Sequence, residues 1–226
     1  MTDTVIVTGG TGGLGAAVTG AFLEDGWRVV VPWVVEHELE RVERHERLEL
    51  VRADLFDPAA VRALVDTAGP AVRALVNLVG GYAAGGLVHE TPVEDFEQML
   101  ALNLRPTYLV TQATLPHLVA GGGGAVVCVG ARAALAPFAG AAGYVTAKAA
   151  VIAFAQAVAV EYKHDGVRCN AVLPSVIDTP ANRVAQPDAD YSRWVTPAEI
   201  ATVIRFLASD ASAPTSGAAI PVYGRA

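Results

Sequence analysis

The sequence predicts an α/β fold, a doubly wound sheet of seven parallel strands with helices on both faces. Three observations carry this. Short apolar runs alternate with longer segments of helical pattern. The runs are apolar almost continuously rather than at every second residue, as expected of strands covered on both faces. The first run ends in a glycine-rich loop that opens the first helical pattern. Strands alternating with helices make βαβ units, whose right-handed crossovers leave helices on either side of one sheet.

The expected strands are residues 4–9 (TVIVTG), 28–33 (RVVVPW), 48–54 (LELVRAD), 74–80 (ALVNLVG), 125–130 (AVVCVG), 167–174 (VRCNAVLP) and 218–223 (AAIPVY). Helices are expected at about 13–25, 34–45, 58–68, 94–119, 143–163 and 196–208. The charged segment EHELERVERHERLE, residues 36–49, reads as a solvated helix face. Residues 174–196 are rich in Pro, Asp and Asn, and a long irregular segment in a compact domain suggests a substrate-binding lid. No repeat or linker divides the chain, so residues 1–226 form one expected domain, long enough to bury a full core.

Charge and composition narrow the function classes. Lys and Arg number 16 against 23 Asp and Glu, a net charge of −7, which argues against a nucleic-acid partner. The longest stretch without Asp, Glu, Lys or Arg, residues 106–131, is broken by Pro116 and by Gly121 to Gly124, so no membrane span is expected. A strand begins within a few residues of Met1, which leaves no room for a signal peptide. Cys128 and Cys169 both fall in apolar runs and read as small core residues, so a cytoplasmic location is expected. No metal site is expected.

The chemistry-bearing residues lie at the ends of the strand runs. In VTGGTGGLG, Gly9, Thr11, Gly13, Leu14 and Gly15 form the loop between the first strand and the first helix. Glycines there allow a tight turn and let the backbone approach a pyrophosphate, which the helix N-terminus attracts. The expected architecture is therefore Rossmann-type, with NAD or NADP as cofactor. Asp54 and the Leu55 backbone are candidates for the adenine, with a helix-capping or turn role for Asp54 as the alternative. Asn77 and Gly80 end the fourth run, Gly80 where the cofactor passes close and Asn77 either there or as a structural hydrogen bonder. At the end of the second strand an acid would take ribose hydroxyls and a base a 2′-phosphate. This chain has Trp33 there, with Glu36 and His37 following, and the absence of a base in the loop favours NADH slightly.

Tyr144 and Lys148 are four residues apart, one turn of helix, on the same face. A phenol beside an ammonium can transfer protons next to a hydride-transferring cofactor.

These motifs together are similar to those of the short-chain dehydrogenase/reductase family. The matching parts are Thr8 to Gly15, Asp54, Asn77 to Gly80, Asn103, Tyr144, Lys148 and NAVLPSVIDTP (170–180), which span nearly the whole chain. The resemblance implies Tyr144 as acid/base and Lys148 as the group that binds nicotinamide-ribose hydroxyls and lowers the tyrosine pKa. It implies that Asn103 holds a water in a proton relay. Pro174, Ile177 and Thr179 would line the nicotinamide pocket, with the Ile177 backbone near the carboxamide. The family's catalytic serine falls on Ala131, thirteen residues before Tyr144. A narrower resemblance covers GGYAAGG (80–86), GARAALAPFAGAAGYVTAK (130–148) and LPSVIDTPANRVAQPDADYSRWVTP (173–197), which look like the dihydropteridine reductase branch, where that serine is also absent. Trp33 and Tyr82 depart from that branch, which has an acid and a tryptophan there.

A ketone oxygen that lost one of two donors would lose roughly 2.7–4 kcal/mol of transition-state stabilisation. A quinonoid dihydropterin spreads the incoming charge over its ring and needs only one proton. The expected activity is therefore reduction of such an electron-poor ring, with Tyr144 as proton donor and Tyr82, Ala131 and Trp194 against the substrate. The alternatives are a carbonyl or enone reductase that works without the serine, and a non-catalytic dinucleotide-binding or sensor protein. Helices 94–119 and 143–163 are apolar around much of their circumference, and 148–162 is Ala-rich. They read as the contact of a homodimer or homotetramer, with burial in the same subunit as the alternative.

Overall fold

Each apolar run becomes a strand, the five inner ones buried along most of their length and the two at the sheet edges only partly buried, and together they build one parallel sheet. The computed structural model describes residues 2–225. The strands are β1 (Thr4–Thr8), β2 (Arg28–Trp33), β3 (Leu48–Arg52), β4 (Val72–Asn77), β5 (Gly124–Val129), β6 (Val167–Pro174) and β7 (Ala219–Val222). Their order across the sheet is β3-β2-β1-β4-β5-β6-β7. Every pairing is parallel. The order reverses between β1 and β4. Ligands of open parallel sheets bind at such a switch point, outside the carboxyl ends of the strands.

The helices are α1 (Gly15–Glu24), α2 (Pro58–Ala68), α3 (Val93–Ala120), α4 (Ala142–Glu161), α5 (Pro180–Ala185) and α6 (Pro197–Ala208). One apolar core lies between the sheet and α2, α3 and α4, with Leu64, Val110, Leu118 and Val151 among its buried residues. The second lies under α1 and α6, around Val18, Phe22, Ile200 and Ile204. The doubly wound α/β architecture is therefore the observed one.

Three elements differ from expectation. The crossover expected as a helix at 34–45 contains only a 3-10 turn, Glu36–Arg41, with no buried residue. Val34 and Val35 are exposed, which leaves Leu39 and Val42 as too few apolar residues to seat a helix on the sheet, and charge dominates the rest. The fourth strand ends at Asn77, so Leu78 to Gly80 leave the sheet and become loop above its edge. The lid is not structureless. It holds α5, capped by the Thr179 side chain, and a second 3-10 turn, Tyr191–Arg193. One helix, α4, is long and apolar enough by composition to cross a membrane. One side of it packs on β5, β6 and α3 and buries Lys148, while 39% of its apolar window is buried in the subunit.

Candidate active site

The glycine loop turns from β1 into α1. Gly9 has φ +68°, a conformation glycine adopts without steric cost, and its carbonyl accepts from Gly12 N–H at 3.0 Å. A side chain at Gly15 would run into the Gly9 carbonyl and the Gly10 backbone. On the open side, a Cβ at Gly13 would lie 3.1 Å from Thr179 Cγ2. The start of the lid therefore faces the glycine loop, with Leu14 at the N-cap of α1. This is a cradle that leaves backbone N–H groups for a pyrophosphate, so the residues fit a dinucleotide.

Thr11 is buried and donates to Glu38 Oε2 at 2.8 Å, and Glu38 also pairs with Arg41 at 3.0 Å. Glu38 was missed in the sequence, where only Trp33, Glu36 and His37 marked the second strand's end. The 3-10 turn is what carries its carboxylate back to the loop. Asp54 Oδ1 accepts from Phe56 N–H at 2.9 Å, so that oxygen makes a turn, while the Leu55 side chain is buried.

Of the two roles left open for Asn77, the hydrogen bonds favour the structural one. Its side chain is buried and donates to Thr111 Oγ1 at 3.0 Å and Cys128 Sγ at 3.8 Å, tying β4 to α3 and β5. Gly80 is where the backbone comes close. A Cβ there would stand 2.5 Å from Asn103 Oδ1 and 3.0 Å from Lys148 Nζ. Asn103, 1% exposed, uses both amide hydrogens on carbonyls, Gly81 at 3.1 Å and Met99 at 3.0 Å, and accepts from Gly81 N–H at 3.1 Å. Its side chain clamps the loop after β4 and has no hydrogen left to donate to a relay water.

Lys148, 6% exposed, donates from Nζ to the Val129 carbonyl at 2.9 Å. Burial pulls its pKa down to about 8, with a smaller opposing effect from Cys128. Tyr144 is pushed up to about 12 by burial, with Tyr82 adding to it. The lowering of the tyrosine by Lys148 that the resemblance implied is therefore not found, since desolvation is the dominant effect on both groups. Tyr82, 63% exposed, sets its ring edge-on to Tyr144 with centroids 5.1 Å apart. Ala131 is 7% exposed and follows β5 in extended conformation, with a methyl where the family pattern has a hydroxyl.

Ile177 pairs with Val195 in an isolated parallel bridge. The bridge's bonds run from Asp178 N–H to Val195 O (2.8 Å) and from Val195 N–H to Val176 O (3.2 Å). The Ile177 N–H is thereby turned to the other side, available to an amide ligand. Its carbonyl accepts from Asn182 Nδ2 at 2.8 Å. Pro174 ends β6, and Thr179 caps α5 at Asn182 N–H, 3.3 Å. Trp194 is buried in the lid against Tyr191, with ring centroids 4.7 Å apart.

A family model described as short chain dehydrogenase matches residues 3–190. The chain belongs to the short-chain dehydrogenases. Among its relatives, 2-(R)-hydroxypropyl-CoM dehydrogenase of Xanthobacter autotrophicus is 35% identical over 99% of this chain and 98% of its own length. Cis-4-hydroxycyclohexanecarboxylate dehydrogenase of Sinomonas cyclohexanicum is 33% identical over 97% of this chain and 94% of its own. The structure of ElxO with NADP bound superposes with a TM-score of 0.91 at 25% identity, covering 99% of this chain and 98% of that one. This short-chain dehydrogenase is an NAD(P)-dependent oxidoreductase. The narrower likeness to dihydropteridine reductase does not extend to these relatives, whose names describe dehydrogenases of hydroxy compounds.

Proposed function

We propose that the protein reduces an electron-poor ring, of the class a quinonoid dihydropterin represents, with Tyr144 as the proton donor. Ala131 is the observation that carries this reading. A ketone oxygen in this site would have the Tyr144 hydroxyl but no second hydroxyl beside it, at a cost of roughly a hundredfold in rate or more. A ring that delocalises the arriving charge is much less dependent on that second donor. A methyl also leaves more room than a hydroxyl for a flat bicycle. Burial raises the Tyr144 pKa to about 12, so the phenol carries its proton over the ordinary working range, as a weaker acid than a free tyrosine. Tyr82 offers an exposed aromatic wall beside it.

When bound, the cofactor supplies the hydride. The glycine loop and Thr179 would hold its pyrophosphate, the Ile177 N–H its carboxamide, and Lys148 the nicotinamide-ribose hydroxyls. Asn103 keeps the Gly80–Gly81 backbone beside Lys148. Glu38 supports NADH over NADPH, because a 2′-phosphate would meet its carboxylate next to Thr11. The remaining expectations belong to the same reading: a small-molecule substrate, no nucleic-acid or membrane partner, a homodimer or homotetramer, and a cytoplasmic setting for a protein whose two thiols are unpaired and buried.

A second reading, oxidoreduction of an ordinary alcohol–carbonyl pair without the serine, is favoured by the names of the relatives. Absorbance loss of NADH and of NADPH, followed with quinonoid dihydropterin and with simple ketones, separates the two. The proposal expects turnover of the pterin, and expects Ala131→Ser to raise ketone turnover by roughly a hundredfold. Reduction of ketones but not the pterin by the unaltered protein would establish the second reading. Binding of NADH without turnover of any acceptor would make the protein a sensor.

A further inference from the structure

Arg132 follows Ala131 directly and opens a 3-10 turn, Arg132–Ala134, that packs against α4, the helix carrying Tyr144. Arg193 ends the 3-10 turn of the lid. The two side chains come from opposite walls, separated by some sixty residues of sequence, yet line one cavity of about 340 Å³ together with Asp190 and Trp194. Neither guanidinium makes a hydrogen bond or an ion pair among the described residues. Arg183, elsewhere in the lid, is by contrast held by Asp178 through bonds of 2.6 and 2.8 Å. Arg132 lies over the Tyr223 ring, 5.2 Å from its centroid, a cation–π contact that uses none of its N–H donors in a hydrogen bond.

Asp190 is the cavity's carboxylate. It accepts from Ser192 N–H at 3.1 Å and from Ser192 Oγ at 2.6 Å. Those bonds, then the nearby charge of Arg193, keep it ionised below the usual carboxylate range. Two guanidiniums against one carboxylate leave the cavity positive, in a chain whose net charge is −7. Trp194 gives it an apolar wall.

We infer that the substrate carries an anionic oxygen group, a carboxylate or sulfonate, held between Arg132 and Arg193. Planar guanidinium forks match such oxyanions with paired N–H···O bonds, which a neutral hydroxyl cannot reproduce. Arg132 follows Ala131 and Arg193 lies in the lid, so the two arginines come from segments that flank the proposed site, and the anion would sit away from the reacting atom, toward the lid. The inference takes the position of the reacting atom from the proposed oxidoreductase site, but the anion preference holds whether the acceptor is a ring or a ketone.

The test uses isosteric pairs that differ in charge. With NADH present, calorimetry compares 2-naphthoate with 2-naphthalenemethanol, and 4-oxocyclohexanecarboxylate with 4-(hydroxymethyl)cyclohexanone. The carboxylates should bind roughly tenfold tighter or more, a preference that high salt weakens. Arg132→Gln and Arg193→Gln should each cut the ratio, and the double variant should bring it near one. Arg132→Lys should restore part of it, which a variant disturbed only in packing would not do. Equal binding within the pairs, no binding of either carboxylate at millimolar concentration, or a preference that survives in the double variant would overturn the inference. If the preference is found but neither pterin nor ketone is reduced, the reductase reading fails and the anion site stands.

Discussion

Lys148 shows how one residue is kept at a thermodynamic cost for its chemistry. Its ammonium sits under the end of β5 with the Val129 carbonyl as its recorded partner, and burial lowers its pKa to about 8. The folded chain therefore releases this proton more readily than the unfolded chain does. Below about pH 8 both states hold the proton, and the fold bears the full penalty of a buried charge. As pH rises from about 8 toward the ordinary lysine value, the unfolded chain still holds the proton that the fold has released, so stability rises. The full penalty is on the order of 2–4 kcal/mol. Replacing Lys148 by Met removes it but leaves the Val129 carbonyl without that donor, a loss of about 1 kcal/mol. The cofactor-free Lys148→Met protein should then be more stable than the unaltered one at pH 7, and the gap should close by pH 10. Denaturant unfolding at the two pH values measures this. A less stable variant at pH 7, or a gap that ignores pH, would show that the lysine is not held against its charge.

At the scale of elements, the crossover between β2 and β3 matters most, because there the periodicity of the sequence misleads. Glu36–Arg41 lacks an apolar face and collapses to a 3-10 turn. That turn delivers Glu38 to Thr11 across 27 residues of sequence. Replacing Glu38 by Ala should raise the ratio of kcat/KM for NADPH to that for NADH by roughly tenfold, since a phosphate would no longer face a carboxylate. An unchanged ratio would place the discrimination elsewhere. The contrast with the glycine loop explains what was legible. Gly9, Gly13 and Gly15 act through backbone geometry set within a few residues, so spacing revealed them. Tyr144 and Lys148 are one helical turn apart and were equally readable. The burial that decides their protonation, the Asn103–Gly81 clamp, the inward turn of Asn77 and the Arg132–Arg193 cavity all depend on contacts between distant segments. No local pattern encodes those contacts.

At the scale of the whole molecule, the outer face of α4 is exposed. The inner side of α4 packs on the sheet through Val151, Ile152, Ala155 and Val158. Its outer side exposes Thr146, Ala149, Ala153, Ala157 and Val160, recurring every three or four residues, with the polar Gln156 among them. On α3 beside it, Tyr108 is exposed and stacks toward Phe154 with centroids 5.7 Å apart. A helix whose outer face is this small and apolar allows the backbone of a second copy to approach closely, and a two-fold axis would place the same stripe on both sides. Dimerisation would also explain why a helix hydrophobic enough to pass for a membrane span leaves so many of its residues outside the core of one subunit. Light scattering on the purified protein should give a mass of two or four chains. Ala157→Glu should shift it to a single chain of about the sequence mass, 23.4 kDa, with NADH binding retained because the glycine loop lies on another part of the subunit. A protein that is already monomeric before substitution, at micromolar concentration, would mean that some other partner covers this face.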